Sequence, residues 1–205
     1  MNPAPGGIAL TKKLLNLSLL QKGSMILDVG CGDGDACRFL SSEGYRAIGL
    51  DIVRHSSGKM NSERIQGQIN AIPILEETVD AVLMECILSI LPTDDGSLTE
   101  IIRVLKPGGI LLFSDLYMRY PDEELEKNRI DSESDYPKIR LADELLNIFG
   151  ESGLSVRYWE DQSAVLQSLR LKFLWEGSAS ENKFPYKMKN IGYICLIAER
   201  VSASG

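Results

Sequence analysis

Apolar and polar positions alternate in blocks along the first half of the chain. Four short, nearly continuous apolar runs have the length and composition of strands that are buried on both faces. These runs are residues 25–29, 47–50, 79–84 and 110–113. Between them, apolar side chains recur at helical spacing in residues 35–43, 87–91 and 98–105. Such an alternation predicts parallel strands joined by right-handed helical crossovers, and therefore an α/β fold with helices on both faces of the sheet.

The remaining pattern adds elements around this core. Helical spacing predicts amphipathic helices, which are residues 8–20, 122–128, 141–149 (ended by Gly150) and 163–175. Shorter apolar runs predict strands at residues 64–69, 154–159 and 191–198. Glycine, proline and polar residues predict a turn at residues 106–109 and irregular structure at residues 1–7, 52–64 and 176–189. No internal repeat or domain boundary is visible.

Composition and charge narrow the class of protein. The chain has 205 residues, 44% of them hydrophobic and 25% charged, which suits one soluble domain over residues 1–205. Its formal net charge of −7 argues against a nucleic-acid partner, because phosphate binding needs a basic surface. No apolar run reaches the roughly 20 residues of a membrane span, and no signal-peptide pattern opens the sequence, so we expect a cytoplasmic protein. Four cysteines and one histidine, at these spacings, do not suit a zinc site, and we expect no bound metal.

Three alternate glycines follow the first predicted strand, and an acid ends the second. Gly30, Gly32 and Gly34 would let the backbone turn sharply and approach a ligand closely at the edge of the sheet where ligands bind. Asp51, at the end of the second strand, is placed to accept hydrogen bonds from ribose hydroxyls. A dinucleotide fingerprint would need a glycine at position 35, where the sequence has Asp35. The pattern therefore predicts a nucleoside site and disfavours a pyrophosphate ligand.

The stretch from Leu27 to Gly34, Leu-Asp-Val-Gly-Cys-Gly-Asp-Gly, resembles motif I of the class I S-adenosylmethionine-dependent methyltransferases. Three later blocks are similar to successive parts of the type-11 methyltransferase domain. They are residues 66–74, 79–89 and 103–109. The resemblance implies a Rossmann-like, mostly parallel sheet of seven strands in the order 3-2-1-4-5-7-6, with one antiparallel strand near the C-terminus. Residues 191–198 are the candidate for that antiparallel strand.

The resemblance also implies S-adenosylmethionine as the cofactor and assigns residues to its parts. The matching positions are Asp28, Gly30, Cys31, Gly32, Gly34, Asp51, Ile52, Gln68, Ile69 and Glu85. Asp28 would hold the ammonium group, Asp51 the ribose hydroxyls, and Ile52 would pack on the adenine ring. Gln68 departs from the aspartate usual in the family, and its neutral amide oxygen accepts a weaker hydrogen bond from the adenine amino group. Ile69 would supply a backbone contact, and Glu85 would meet either the ammonium group or the substrate.

Methyl transfer is an in-line displacement, so much of its catalysis is positioning of the reactants. A base is needed only when the nucleophile is protonated at the working pH, and its identity is left open. Candidates at the active edge are Glu85, Cys86, Asp115 and Tyr117. Residues 1–23 are a candidate lid, and residues 116–140 and 176–189 are candidate caps over the substrate. Arg119, Tyr120, Tyr136 and Trp175 are candidate pocket walls.

The sequence thus predicts an S-adenosylmethionine-dependent methyltransferase that acts on a small-molecule acceptor. One alternative is a non-catalytic protein of the same fold that binds the cofactor or regulates a partner, which Gln68 and the lack of an identified base would fit. A nicotinamide-dependent oxidoreductase is a further alternative, and the missing glycine at position 35 counts against it.

Overall fold

The computed structural model describes residues 5–53, 63–92, 96–123, 126–127, 138–168 and 190–201. Within these ranges the strands are β1 (Met25–Val29), β2 (Arg46–Asp51), β3 (Glu63–Gln66), β4 (Val79–Glu85), β5 (Leu105–Met118), β6 (Arg140–Leu141), β7 (Leu154–Asp161) and β8 (Ile191–Arg200). The helices are α1 (Gly7–Ser18), α2 (Asp35–Ser42), α3 (Ser97–Val104) and α4 (Ala142–Glu151), with a 3-10 turn at Leu88–Ile90. No helix in these ranges is both long enough and apolar enough to cross a membrane.

The strands form one sheet in the order β3-β2-β1-β4-β5-β8-β7, and the two-residue β6 pairs separately with the end of β5. Strands β1 to β5 pair in parallel, whereas β8 runs antiparallel to both β5 and β7. Apart from the additional β6, this is the predicted order with the predicted reversed strand, and the α/β fold class is confirmed.

Both faces of the sheet are covered, which explains the unbroken apolar runs of the central strands. On one face, Leu14 of α1 and Leu40 of α2 pack with Leu83 and Tyr193 in a fully buried cluster. On the opposite face, α3 and α4 cover a second cluster. There the rings of Phe113 and Phe149 meet edge to face, with their centroids 5.1 Å apart. The layers therefore follow the pattern of hydrophobic residues in the sequence.

Strand β5 is longer than predicted. A strand over residues 110–113 after a turn at 106–109 was expected, but β5 begins at Leu105 and ends at Met118. Its register with β4 shifts between Leu105 and Ile110, so residues 106–109 form a bulge within the strand. The strand continues to Met118 because β8 pairs with it along residues 110–118. Asp115 and Tyr117 consequently lie inside a paired strand and not beyond its end.

The predicted end of α4 was also wrong. The helix does not stop before Gly150 but includes it and runs to Glu151. The left-handed residue after the helix is Gly153, with φ of 87°. Predictions for residues 54–62, 124–125, 128–137 and 169–189 lie outside the described residues, as do residues 1–4 of the candidate lid. These ranges include Tyr136, Trp175, about half of the candidate cap 116–140 and all of the candidate cap 176–189.

Replacing Gly192 with alanine is expected to lower the free energy of unfolding by about 2 kcal/mol, because the strand has no room for a side chain there. A Cβ atom at this position would lie 2.2 Å from Cε1 of Tyr117 and 2.9 Å from Oγ of Ser163. The Tyr117 ring is buried, and its hydroxyl donates a hydrogen bond to Asp161 at 2.9 Å, so it cannot move aside without losing that bond. Chemical denaturation monitored by fluorescence measures the change.

The matched control is Gly150→Ala in α4, where a Cβ atom would meet nothing within 4 Å. Since alanine favours a helix over glycine, this variant is expected to gain about 0.5–1 kcal/mol. Equal effects of the two substitutions would contradict the steric argument at Gly192.

Candidate cofactor site

The glycine loop, residues 30–34, crosses the carboxyl end of β1 and is fastened to the neighbouring strand β2. The backbone amides of Gly30 and Cys31 both donate to the carbonyl oxygen of Leu50, at 2.7 and 3.1 Å. Gly30 has a φ of 73°, and a Cβ atom on it would lie 2.1 Å from Cδ1 of Ile87. Only glycine fits this conformation and this gap. The loop is therefore fixed close to the ends of β1, β2 and β4.

Asp51 ends β2 with its carboxylate already tied to the glycine loop. The side chain is 6% exposed, its Oδ2 accepts a hydrogen bond from the amide of Gly32 at 2.8 Å, and its Oδ1 accepts one from Val53 at 2.9 Å. Because each carboxylate oxygen has more than one acceptor site, both oxygens can still accept from a ligand hydroxyl. The geometry matches an acid that receives the two hydroxyls of a ribose.

Arg64 belongs to this site and was not predicted from the sequence. Its Nη2 donates to the carbonyl oxygen of Gly32 at 2.7 Å and lies 3.9 Å from Oδ2 of Asp51. Arg64 is in β3, directly beside Gly49 of β2 in the parallel register. The signal available in the sequence was a basic residue on the strand next to the one that ends in Asp51. In the structure its guanidinium adds positive charge beside the carboxylate of Asp51.

Apolar side chains and an amide group follow β2 and β3 at the same edge. Ile52 and Val53 are 62% and 48% exposed, so they present an uncovered apolar surface beside Asp51. Gln68 lies in the turn after β3, where it forms an isolated bridge with Ala71. The side chain of Ile69 packs against the core, which leaves its backbone as the part that can face a ligand. These positions suit the edge and face of a planar base.

Asp28 and Glu85 place two carboxylates near each other on the face covered by α1 and α2. Their strands β1 and β4 are paired neighbours. Asp28 is only 4% exposed, and burial raises its pKa to about 7 even though Cys37 donates a hydrogen bond to its Oδ2 at 3.2 Å. Burial, and then the charge of Asp28, raise the pKa of Glu85 to about 7. Such a pair favours a cationic guest, because a cation would stabilise both carboxylates in their charged form.

The thiols of Cys31, in the glycine loop, and Cys37, in α2, both lie beside Gly49 of β2. A Cβ atom on Gly49 would lie 2.6 Å from the sulfur of Cys31 and 3.2 Å from that of Cys37. Hydrogen bonding with Cys37 lowers the pKa of Cys31, whereas the same contact and burial raise the pKa of Cys37. Cys37 is fully buried, and its thiol also contacts Asp28. Among the described residues, no three histidine, cysteine or acidic side chains are grouped so that they could hold a metal ion.

The four candidate bases differ in the hydrogen bonds and contacts that their side chains already make. Asp115 is 1% exposed and accepts hydrogen bonds from the amide and hydroxyl of Ser89 and from the amide of Leu116, so it fixes the 3-10 turn. Burial raises the pKa of Asp115. Tyr117 donates to Asp161 and braces β5 against β7. The sulfur of Cys86 lies 3.2 Å from the hydroxyl oxygen of Tyr193. Of the four, Glu85 is brought beside Asp28.

The candidate pocket walls are described only in part. Arg119 forms an ion pair with Asp161 at 2.9 Å, and its guanidinium lies 5.7 Å from the centre of the Tyr117 ring. Tyr120, two residues after β5, is 54% exposed. Arg119 is thus already engaged, whereas the ring of Tyr120 is available for contact.

Comparison with known families finds that residues 27–113 match a methyltransferase domain. A fatty-acid O-methyltransferase of Mycolicibacterium smegmatis is 31% identical over 120 residues, which cover 54% of this chain and 44% of that protein. A methyltransferase of Bacillus subtilis, YodH, is 29% identical over 135 residues, which cover 62% and 58% of the two chains. The chain spans about half the length of these curated relatives.

Among solved structures, the [4+2]-cyclase SpnF superposes with a TM-score of 0.73 over 95% of this chain and 81% of that chain, at 20% identity. At this identity the likeness shows the fold alone. The matched family segment, by contrast, contains the glycine loop, Asp51, Gln68 and Glu85, which are the residues that the geometry gathers at one edge of the sheet.

Proposed function

We propose that this chain, which carries a class I S-adenosylmethionine-dependent methyltransferase domain, binds S-adenosylmethionine at the glycine-loop edge and transfers its methyl group to a small-molecule acceptor. The observation that carries the proposal is the joint placement of two features. Asp51 is hydrogen-bonded to the glycine loop, and the carboxylate pair Asp28 and Glu85 lies at the ends of adjacent strands. One feature suits ribose hydroxyls and the other suits an ammonium group, and S-adenosylmethionine carries both.

Each part of the cofactor would have its own partner. Asp51 would accept the ribose hydroxyls, while the exposed side chain of Ile52 would cover one face of the adenine. Gln68 and the backbone of Ile69 would meet the edge of the base. Asp28 and Glu85 would hold the ammonium group, which fixes the amino-acid end of the molecule.

S-adenosylmethionine supplies a methyl group on a sulfonium, which makes that carbon electrophilic. The protein's part is to align this carbon with the acceptor and to exclude water, and alignment alone can lower a barrier by about 7–11 kcal/mol. Asp115 and Tyr117 are already engaged in holding Ser89 and Asp161. We therefore assign these two residues to the scaffold, and propose that transfer depends on alignment and not on either of them as a base.

A small-molecule acceptor is supported by two observations. The net charge of −7 disfavours a nucleic acid. The relative from M. smegmatis is named for a fatty acid, which is a small acceptor. We also propose that the acceptor is capped by residues 116–140 and 176–189, and that a lid is formed by residues 1–23. We further propose that the protein is located in the cytoplasm.

Isothermal titration of the purified chain with S-adenosylmethionine and with S-adenosylhomocysteine tests the cofactor assignment. We expect saturable one-to-one binding of both and none of NADH. If the chain bound neither S-adenosylmethionine nor S-adenosylhomocysteine, the proposal would be refuted. Radiolabelled methyl transfer to a panel of small carboxylic acids, amines and phenols then tests turnover, and tight binding without transfer to any of them would favour the non-catalytic alternative.

A further inference from the structure

We propose that Thr11 of α1 is a positioning residue: it orients the carboxylate of Glu85 toward the ammonium group of the cofactor, so that α1 docks more firmly when the cofactor is bound. This inference rests on the function proposed above. It assigns a role in cofactor binding to a helix that precedes the matched domain, which begins at residue 27.

The contact between the two side chains is direct and partly buried. Thr11 is fully buried, and its Oγ1 donates a hydrogen bond to Oε1 of Glu85 at 2.9 Å. The carbonyl oxygen of Gly7, four residues earlier in the helix, lies farther away at 3.3 Å. Because a hydroxyl has a single proton to donate, the closer carboxylate is its main acceptor.

The other oxygen of Glu85 is left for a ligand. Within the described part of the chain, the hydroxyl of Thr11 donates a hydrogen bond to Oε1 of Glu85, and no hydrogen bond is made to Oε2 of Glu85. Glu85 lies diagonally across from Asp28 in the paired strands, on the same face of the sheet. Fixing Oε1 on α1 therefore leaves Oε2 as the oxygen that can share a cation with Asp28. Without Thr11, the carboxylate would lose the hydrogen bond that holds it in this rotamer.

Helix α1 is anchored well enough to serve as the fixed side of this contact. Leu10, Leu14 and Leu15 are buried against the sheet. At the far side of the helix, Lys13 forms an ion pair with Glu160 of β7 at 2.5 Å. The helix therefore connects the cofactor edge of β4 with the outer strand β7.

Binding and docking are then coupled in both directions. A bound ammonium group keeps Glu85 ionised, and a hydroxyl donates a stronger hydrogen bond to a carboxylate than to a neutral acid. Cofactor binding thus strengthens the bond between Thr11 and Glu85 and tightens α1 on the sheet. By linkage, a docked α1 must raise the affinity for the cofactor by the same factor.

The test compares Thr11→Val with Thr11→Ser, using two ligands that differ only in the amino-acid end. Valine keeps the shape but removes the hydroxyl, and serine keeps the hydroxyl. S-adenosylhomocysteine has the ammonium group, whereas 5′-methylthioadenosine has the same nucleoside without it. We expect Thr11→Val to raise the Kd for S-adenosylhomocysteine about fivefold to tenfold and to leave that for methylthioadenosine unchanged. Thr11→Ser should bind both as the wild type does.

Hydrogen exchange of the α1 amides supplies a second readout. In the wild type, S-adenosylhomocysteine should slow exchange in α1, and in Thr11→Val this slowing should be lost. An equal loss of affinity for both ligands in Thr11→Val would mean a merely structural role and would overturn the inference, as would unchanged affinity for both. Failure of the wild type to bind S-adenosylhomocysteine would instead refute the proposed function itself, so the two failures are distinguishable.

Discussion

Replacing Asp51 with alanine is expected to weaken S-adenosylhomocysteine binding by at least about 100-fold. Two hydrogen bonds from ribose hydroxyls to a charged carboxylate would be lost, at about 1.5–3 kcal/mol each. The same change removes the acceptor for the amide of Gly32, which at 2.8 Å holds the glycine loop against β2. The binding surface would therefore lose both a partner and its shape. Isothermal titration at fixed pH and salt concentration measures the Kd.

Two further variants separate charge from geometry. Asp51→Asn keeps one acceptor oxygen and should lose about tenfold, since the remaining bond is neutral. Asp35→Asn removes the same charge from the beginning of α2, where the side chain is 71% exposed and pairs with Arg38. We expect Asp35→Asn to stay within about threefold of the wild type, because exposed charges contribute little. A comparable loss in Asp35→Asn would attribute the effect to net charge and not to ribose binding.

Replacing Asp28 with asparagine is expected to stabilise the unliganded protein at pH 8 by about 2–3 kcal/mol while weakening cofactor binding. Burial is the main cause that raises the pKa of Asp28 from 3.8 to about 7. The folded state then binds this proton more tightly than the unfolded state, so stability is highest at low pH and falls as the pH rises from about 4 to about 7. The shift of about three pKa units sets an upper limit of about 4 kcal/mol. Asparagine is neutral and can still accept from Cys37.

Urea denaturation at pH 5, 6, 7 and 8 measures this effect. The wild type should lose stability across the series, and the Asp28→Asn curve should be flatter, with Glu85 leaving a residual slope. Asp80→Asn is the control of opposite sign. Burial there raises the pKa, but hydrogen bonds from Lys106 and from the amide of Met25 outweigh it and lower the pKa, so the charged form stabilises the fold. Asp80→Asn should therefore be less stable at pH 8, and an Asp28→Asn variant that shared this behaviour would disprove the burial argument.

Elements that depend on local pattern were predicted well. Strands β1, β2 and β4 were found within one residue at each end, because each is a short apolar run between clear turn signals. Strand β5 was predicted too short, because its extension is decided by pairing with β8. Residues Ile110 and Glu199, which are neighbours across that pairing, lie far apart in sequence. The local sequence around β5 therefore does not predict that it pairs with β8.

At the candidate site, too, features set by local sequence could be predicted and features set by long-range contacts could not. The glycine loop and Asp51 could be predicted because a strand, a turn and an acid at the next strand end form a local sequence pattern. Thr11, Cys37 and Arg64 could not, since each acts on a residue that folding brings to it from another element. Asp115 and Tyr117 appeared as candidate bases because β5 was expected to end before them.

The position of β8 has a consequence for how the chain is made. Among the described strands, β7 reaches the sheet only through β8, and β8 follows both of its neighbours in sequence. While residues 191–200 are still being synthesised, β5 therefore exposes an unpaired apolar edge, and β7 has no strand to join. Open edges of this kind attract other chains and chaperones. The part of the sheet beyond β5, which is β8 and β7, must consequently assemble late, and a chain stalled before residue 191 would be prone to aggregation.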